Sequence, residues 1–270
     1  MKPERWVIKL GTGVLSTREG SLDLPQMENL TKQLIEIKKK NIDVIIVSSG
    51  AISCGMDILG YSKRPESIEE LQTCSTLGQP YLMHYYKQLF SAHGFHVAQL
   101  LVTYFDLDSL SLRKNIQKLL ENLLLKKTII PIINENDCVS YEEIRFGDND
   151  RLSSHIAVLA EAQRLIILSN VAGLMDCRNG ENKMISYVEE IDSTIEKLAE
   201  GTRSERSVGG MITKIEAAKI AQASGILTQI ADGREKNVLV RIYNGEPLGT
   251  IFETKKNNER TVRTNSVSLP

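Results

Sequence analysis

The sequence lacks most of what marks the specialised protein classes. Its four cysteines, Cys54, Cys74, Cys138 and Cys177, have neither the paired spacing of a zinc site nor the density of a disulfide scaffold, so four reduced thiols are expected. No apolar run approaches the ~18 residues of a membrane helix; Leu165-Ile166-Ile167-Leu168 is typical of the longer ones. Only Val7 and Ile8 precede Lys9 in the first apolar run, too little for a signal peptide, and a cytoplasmic chain is expected. Neither sign of charge dominates: 33 Lys+Arg against 34 Asp+Glu leave a net charge of -1. The basic excess of a protein that works on nucleic acid or an acidic membrane surface is missing, and a small-molecule partner is expected instead. Two phosphate-binding motifs are missing as well. Gly11-Thr12-Gly13 is followed by Ser16 where a dinucleotide fingerprint has its third glycine, and no Gly-x-x-x-x-Gly-Lys-Ser/Thr occurs. With 41% hydrophobic and 25% charged residues in 270, the chain is an ordinary globular one, long enough for one large domain or two smaller ones.

What is present is alternation. Residues 6–10, 43–48, 97–102, 129–133, 165–168 and 227–231 read as strands. Helices are expected from Asp23-Pro25 onward, over 67–93, around Leu152, Ile156 and Leu159, and over 192–200 and 210–224; another carries Ile116, Leu119, Leu120, Leu123 and Leu124 on one face. A hairpin is expected over 138–146. Pro131 is a warning within its strand, because proline has no N–H to give a sheet ladder. This order predicts an α/β fold, a three-layer sandwich with an open, mainly parallel central sheet and helices on both faces. No repeat or linker divides it, so one sandwich of two lobes is expected. Ligands of such sheets lie beyond the carboxyl ends of the strands, which directs attention to the turns after Leu10, Ser48, Ile133 and Leu168.

Those turns carry unusual residues. Lys9 lies inside an apolar strand next to Gly11-Thr12-Gly13, where backbone N–H groups and an ammonium could meet one anion. Lys214 follows Gly209-Gly210-Met211-Ile212-Thr213 at a helix start, where the helix dipole favours phosphate. Each also has a local reading, as a solvated lysine at a strand edge or on a helix. Asn134-Glu135-Asn136-Asp137 follows one strand, and Gly147-Asp148-Asn149-Asp150 precedes a helix. Turns and caps favour Asn and Asp for local reasons, yet two such clusters could offer carboxylates to an ammonium and amides to a carboxylate, as an amino acid requires. His155 is expected to be packed or on the surface, Cys138 small and buried, and the basic run 203–206 solvated.

Five motifs, in order, carry a family resemblance: Val7-Ile8-Lys9-Leu10-Gly11-Thr12, Val47-Ser48-Ser49-Gly50-Ala51-Ile52, Ile133-Asn134-Glu135-Asn136-Asp137, Phe146-Gly147-Asp148-Asn149-Asp150 and Gly209-Gly210-Met211-x-Thr213-Lys214. Together they resemble the glutamate 5-kinases of the amino acid kinase family. The resemblance implies transfer of a phosphoryl group from ATP, with Mg2+, to the side-chain carboxylate of L-glutamate, the first step of proline biosynthesis. It implies an amino-acid lobe over about 1–163, a nucleotide lobe over about 164–255 and a polar tail over 256–270. Lys9 and Lys214 would contact the transferring group and Asp150 would organise them. Ser49, Asn134, Asp137, Asp148 and Asn149 would surround glutamate. Lys9, Gly11, Gly50, Ser169, Asn170 and the run Val208, Gly209, Gly210, Met211, Ile212, Thr213, Lys214 would hold ATP. No metal ligands are assigned. Proline as an inhibitor and a homo-oligomer are further expectations, with no nucleic-acid or membrane partner.

The implied chemistry is sound from first principles. A side-chain carboxylate is ionised at neutral pH, so no general base is needed, and the obstacle is its repulsion by the triphosphate. Cations from two lobes would relieve it. Three departures from the family pattern stand out: Ser169-Asn170 replaces Thr-Asp, Ser207-Val208 replaces Gly-Thr, and, with the sequence ending at Pro270, a form without the carboxyl-terminal PUA domain many members carry is expected. The rival readings are a kinase of acetylglutamate, carbamate or a nucleoside monophosphate, and a binding sensor without turnover.

Overall fold

Val7 and Ile8 are neighbours in the chain and enter different hydrophobic cores. Side chains of a strand alternate between faces, so a strand apolar at every position must be covered on both. The computed structural model, which describes residues 3–17, 19–139, 149–178, 182–200 and 210–254, meets that demand with layers of helices above and below one sheet.

The sheet contains β1 (Arg5–Leu10), β2 (Asp43–Ser48), β3 (His96–Val102), β4 (Ile129–Glu135), β5 (Arg164–Ser169), β8 (Tyr187–Val188), β9 (Leu227–Asp232) and β10 (Thr250–Phe252). Their order is β3-β4-β2-β1-β5-β9-β10-β8. The first six run parallel, and β10 turns antiparallel to β9. A separate hairpin pairs β6 (Leu174–Asp176) with β7 (Lys183–Ile185). The core that takes Val7, Ile45 and Leu165 is closed by α6 (Leu110–Leu125), α7 (Asn149–Leu159), α8 (Ser193–Glu200) and α9 (Met211–Ala223). The core that takes Ile8, Ile46 and Ile166 is closed by α1 (Thr12–Leu15), α2 (Leu24–Lys39), α4 (Ile68–Ser91) and α10 (Val238–Tyr243). Two further helices, α3 (Ala51–Leu59) and α5 (Tyr104–Asp108), begin at the carboxyl edge of the sheet, after β2 and β3.

Local chemistry sets several boundaries. Asp23 caps α2, accepting from the Gln26 amide at 3.1 Å, with Pro25 in the first turn. Gly50 opens α3 with φ +109°, a left-handed conformation that side chains resist. α3 and α4 pack with almost no separation: a Cβ on Gly55 would overlap the Cys74 carbonyl, and one on Gly78 would overlap that of Ala51.

The expected architecture holds, with corrections in detail. β4 is an interior strand despite Pro131, because its ladder to β2 covers only Ile46↔Ile132 and Val47↔Ile133, just beyond the proline. β4 also runs two residues further than expected, so Asn134 and Glu135 belong to the strand. Leu119 is 47% exposed; only part of the expected apolar face of α6, with Leu120 and Leu124 at its centre, is buried. Cys138 is exposed, its thiol 3.2 Å from Thr76 Oγ1, against the expectation of burial. From residue 140 onward, the expected 138–146 hairpin lies outside the described residues, as does the run 203–206.

Candidate active site

The parallel strands bring their carboxyl ends to one edge, where the expected residues gather. Lys9 is the penultimate residue of β1, Asp150 the second residue of α7, and Lys214 lies in the first turn of α9. Asp150 is completely buried and bridges both lysines: Oδ1 is 2.6 Å from Lys9 Nζ and Oδ2 is 3.0 Å from Lys214 Nζ. The Thr213 hydroxyl donates to the same Oδ2 at 3.0 Å. Burial by itself would disfavour the Asp150 charge, but the two ammonium groups outweigh it and hold the carboxyl well below the usual carboxylate range. Lys9 is 6% exposed and Lys214 4%. Among the described residues the two ammoniums meet this carboxylate where water scarcely reaches, a setting that favours an anion.

The surroundings suit a phosphorylated anion. α9 starts at Gly210, which gives it no side-chain cap, and the N-terminus of a helix favours an anion. A Cβ on Gly11 would lie 3.2 Å from both Lys9 Nζ and the Leu168 carbonyl oxygen. Ser169 ends β5, and the Asn170 side chain packs on Gly13. Of the side chains expected at the nucleotide, Met211 is in the hydrophobic core and could meet ATP only through backbone, whereas Ile212 is 43% exposed.

Beside the triad is a polar pocket lined by Ser49, Asn134, Asp137, Asn149 and Arg64, among others. Its amides form a network. The Asn149 side-chain NH2 donates to the Ser48 carbonyl and Ser49 Oγ, each at 3.1 Å, and to Asn134 Oδ1 at 2.9 Å. Asn134 donates in turn to Gln79 Oε1 at 2.9 Å. β2, β4, α4 and α7 are thus tied together at the pocket wall. Asp137 accepts from Ser75 Oγ at 2.8 Å. Burial raises its pKa above the ordinary range, and the Ser75 hydrogen bond and Arg64 charge only partly offset this.

Lys9, Gly11, Ser49, Gly50, Asn134, Asp137, Asn149, Asp150, Ser169, Asn170, Gly210, Met211, Ile212, Thr213 and Lys214 all lie at this edge; Asp148, Val208 and Gly209 lie outside the described residues. Sequence reasoning passed over Arg64, Ser75 and Gln79. Ser75 and Gln79 are four apart on one face of α4, a legible spacing only once their partners are known.

Residues 4–232 match the amino acid kinase family. The chain belongs to that family. It is 41% identical over 260 residues to a glutamate 5-kinase of Clostridium perfringens, covering 94% of this chain and 96% of that one. It is 42% identical over 256 residues to a glutamate 5-kinase of Caldanaerobacter subterraneus, covering 94% of this chain and 68% of the relative. A carbamate kinase from Giardia lamblia bound to AMP-PNP superposes with a TM-score of 0.64 at 18% identity, over 94% of this chain and 99% of that one. The three-layer sandwich is therefore the amino acid kinase fold, and the family is one of phosphotransferases.

Proposed function

We propose that the protein phosphorylates the side-chain carboxylate of L-glutamate with ATP, giving L-glutamyl 5-phosphate for proline biosynthesis. The observation that carries this reading is the buried Lys9–Asp150–Lys214 triad beside the Asp137 pocket, supported by the two glutamate 5-kinase relatives. In this reading Lys9 and Lys214 bind the phosphoryl group as it moves, and Asp150 orients both without touching it. Glutamate brings its own nucleophile already ionised, so no residue of the chain has to take a proton. Asp137 takes the α-ammonium, Arg64 suits the α-carboxylate, and Ser49, Asn134, Asn149 and Asp148 complete the pocket. Ser169, Asn170, Gly11, Gly50 and the run Val208–Lys214 hold the nucleotide. The amino-acid half is 1–163 and the nucleotide half 164–255, a boundary between α7 and β5.

Among the described residues no group of three or more His, Cys, Asp or Glu could cage a metal ion, and both Asp150 oxygens are engaged by lysines. Magnesium therefore fits as a companion of the triphosphate, where it would neutralise phosphate charge. Proline, which shares the ammonium and α-carboxylate but has no nucleophile, inhibits by occupying the Asp137 half of the pocket. The protein works in the cytoplasm; among the described residues no helix is long and apolar enough to cross a membrane. It assembles as a homo-oligomer, a reading supported by Ile58, Leu59, Tyr61, Leu77 and Tyr81, all exposed on α3, α4 and the turn between them, and checked by light scattering.

The decisive experiment incubates the protein with ATP, magnesium and glutamate and traps the acyl phosphate with hydroxylamine. Glutamyl hydroxamate is the expected product. Product from N-acetylglutamate, carbamate or a nucleoside monophosphate, with none from glutamate, overturns the assignment. Titrating proline at several glutamate concentrations tests the inhibition separately, and flat activity at low glutamate removes that part alone.

A further inference from the structure

The helix that follows Lys9 cannot hold itself. α1 is four residues, Thr12–Leu15, with no side-chain cap at Gly11, and an isolated helical turn is disfavoured by a nucleation factor of about 10⁻³. Its neighbours nevertheless demand a fixed position. A Cβ on Gly11 would lie 3.2 Å from Lys9 Nζ, and one on Gly13 would lie 3.1 Å from Asn170 Cγ. A small shift of α1 therefore reaches both the lysine and the turn after β5.

Arg234 closes the other end of α1. It stands in the turn after β9, where its own amide donates to Asp232 Oδ1 at 2.9 Å and the Gly233 amide donates to the Ser169 carbonyl at 2.8 Å. This turn meets α1 so closely that a Cβ on Gly233 would lie 2.6 Å from Val14 Cγ1. The guanidinium reaches across: Nη2 donates to the Ser16 carbonyl at 2.6 Å, and Nε and Nη2 each approach the Gly13 carbonyl at 3.4 Å. Nη2 also lies 3.5 Å from the Val14 carbonyl, and Nη1 donates to Asp23 Oδ2 at 3.0 Å. One planar cation thus covers the carbonyls a helix leaves open at its carboxyl end, a task for a fork of donors and not for a single ammonium. None of these bonds is to Lys9, Asp150 or Lys214.

We propose that Arg234 is a positioning residue for phosphoryl transfer: by clamping α1 to the turn after β9 it keeps the Gly11–Gly13 turn and Lys9 in register with Ser169 and Asn170. This rests on the functional reading above. Its side chain is 41% exposed, and exposed pairs contribute little to stability, so its loss acts on geometry more than on folding.

The test compares wild type, Arg234→Ala and Arg234→Lys in the hydroxamate assay and, without substrates, in amide hydrogen exchange over residues 11–16. For Arg234→Ala we expect kcat to fall ~10-fold, the scale that misplacement of a reacting group by a fraction of an ångström produces, with the KM for glutamate within twofold of wild type. Millimolar guanidinium restores part of that kcat and leaves wild type unchanged, an effect that mere loss of stability does not give. Exchange at 13–16 accelerates. A folded Arg234→Ala protein with wild-type kcat, or with unchanged exchange, overturns the proposal. If Arg234→Ala does not fold, Arg234→Lys decides: it retains charge without the fork, and wild-type kcat in it is equally fatal. Absence of glutamyl hydroxamate from wild type itself sinks the functional reading instead, while faster exchange in Arg234→Ala still reports the clamp.

Discussion

At the carboxyl edge of the sheet Asp150 stands between Lys9 and Lys214; at the amino edge Asp43 stands between Lys38, 2.9 Å away, and Lys127, 3.1 Å away. Both aspartates are buried, and among the described residues each draws two lysine ammoniums. The lower group differs in how far water reaches its lysines. Lys127 is 54% exposed, so water screens it, and nearby Arg5 is matched by Glu121 at 2.7 and 2.8 Å and by the Ala160 carbonyl. In the upper group both lysines are shut away from water. A count of lysines around an aspartate does not separate a structural cluster from the proposed binding one; solvent access to the second lysine does.

Substitution of the lysines should separate them most. Lys9→Ala and Lys214→Ala should each lower turnover by ~10²-fold or more, as loss of one preorganised transition-state donor does, while Lys127→Ala leaves the kinetics alone. A folded Lys9→Ala protein with normal hydroxamate production would place Lys9 with Lys38, as a purely structural ion.

The two aspartates sharpen the contrast. Asp150→Asn strands two buried ammoniums and should reduce turnover far more than either KM, with a stability loss of ~3 kcal/mol or more. ATP should recover part of that loss, because a bound anion replaces the missing charge. Asp43→Asn should destabilise without altering kinetics and without ATP rescue, and denaturant titration with and without ATP checks both. Since Asp150 has a depressed pKa, its contribution is full above the ordinary carboxylate value of about 4 and is lost only as pH falls through the lower folded value. Rescue of Asp43→Asn by ATP would erase the distinction.

Asp137 should respond to pH in the opposite sense. Its pKa is raised by burial, so it gains a proton on acidification before an ordinary aspartate would, and the hold on an ammonium proposed for it would weaken there. The KM for glutamate should rise on acidification, starting above the ordinary carboxylate range, with kcat nearly constant. Asp137→Asn should raise that KM at every pH, leave the KM for ATP nearly unchanged, and abolish the trend. A trend that persists in Asp137→Asn assigns the proton elsewhere. Least of all, Lys127→Ala should cost ~0–1 kcal/mol of stability, as exposed pairs do.

The fold was legible wherever burial acts on every residue of a run: β1, β2 and β5 are apolar on both faces and their strand signal is strong. It was weak where contacts decide. α1 and α5 are too short for helical periodicity, and α3 is signalled only by Gly50, whose positive φ is invisible until the turn is built. β8 and β10 form because the sheet edge offers partners. At the site, Lys9 was visible as a cation inside an apolar strand, and Asp150 and Lys214 through their motifs. That one carboxylate joins residues separated by most of the chain was not, since no local pattern encodes it. Arg64 and Arg234 stand in polar turns, where an arginine that binds and one that is solvated look the same.

The contact of Gly55 with Cys74 and of Gly78 with Ala51 sets the distance between α3 and α4 by backbone alone. Ser75 and Gln79, the residues of α4 that hold Asp137 and Asn134, lie immediately beside that contact. The width of the proposed amino-acid pocket is thus gauged by two missing methyl groups outside its lining. A change of substrate length through the pocket lining has to work within this fixed calliper, whereas an alanine at 55 or 78 would reset the calliper and every lining residue with it.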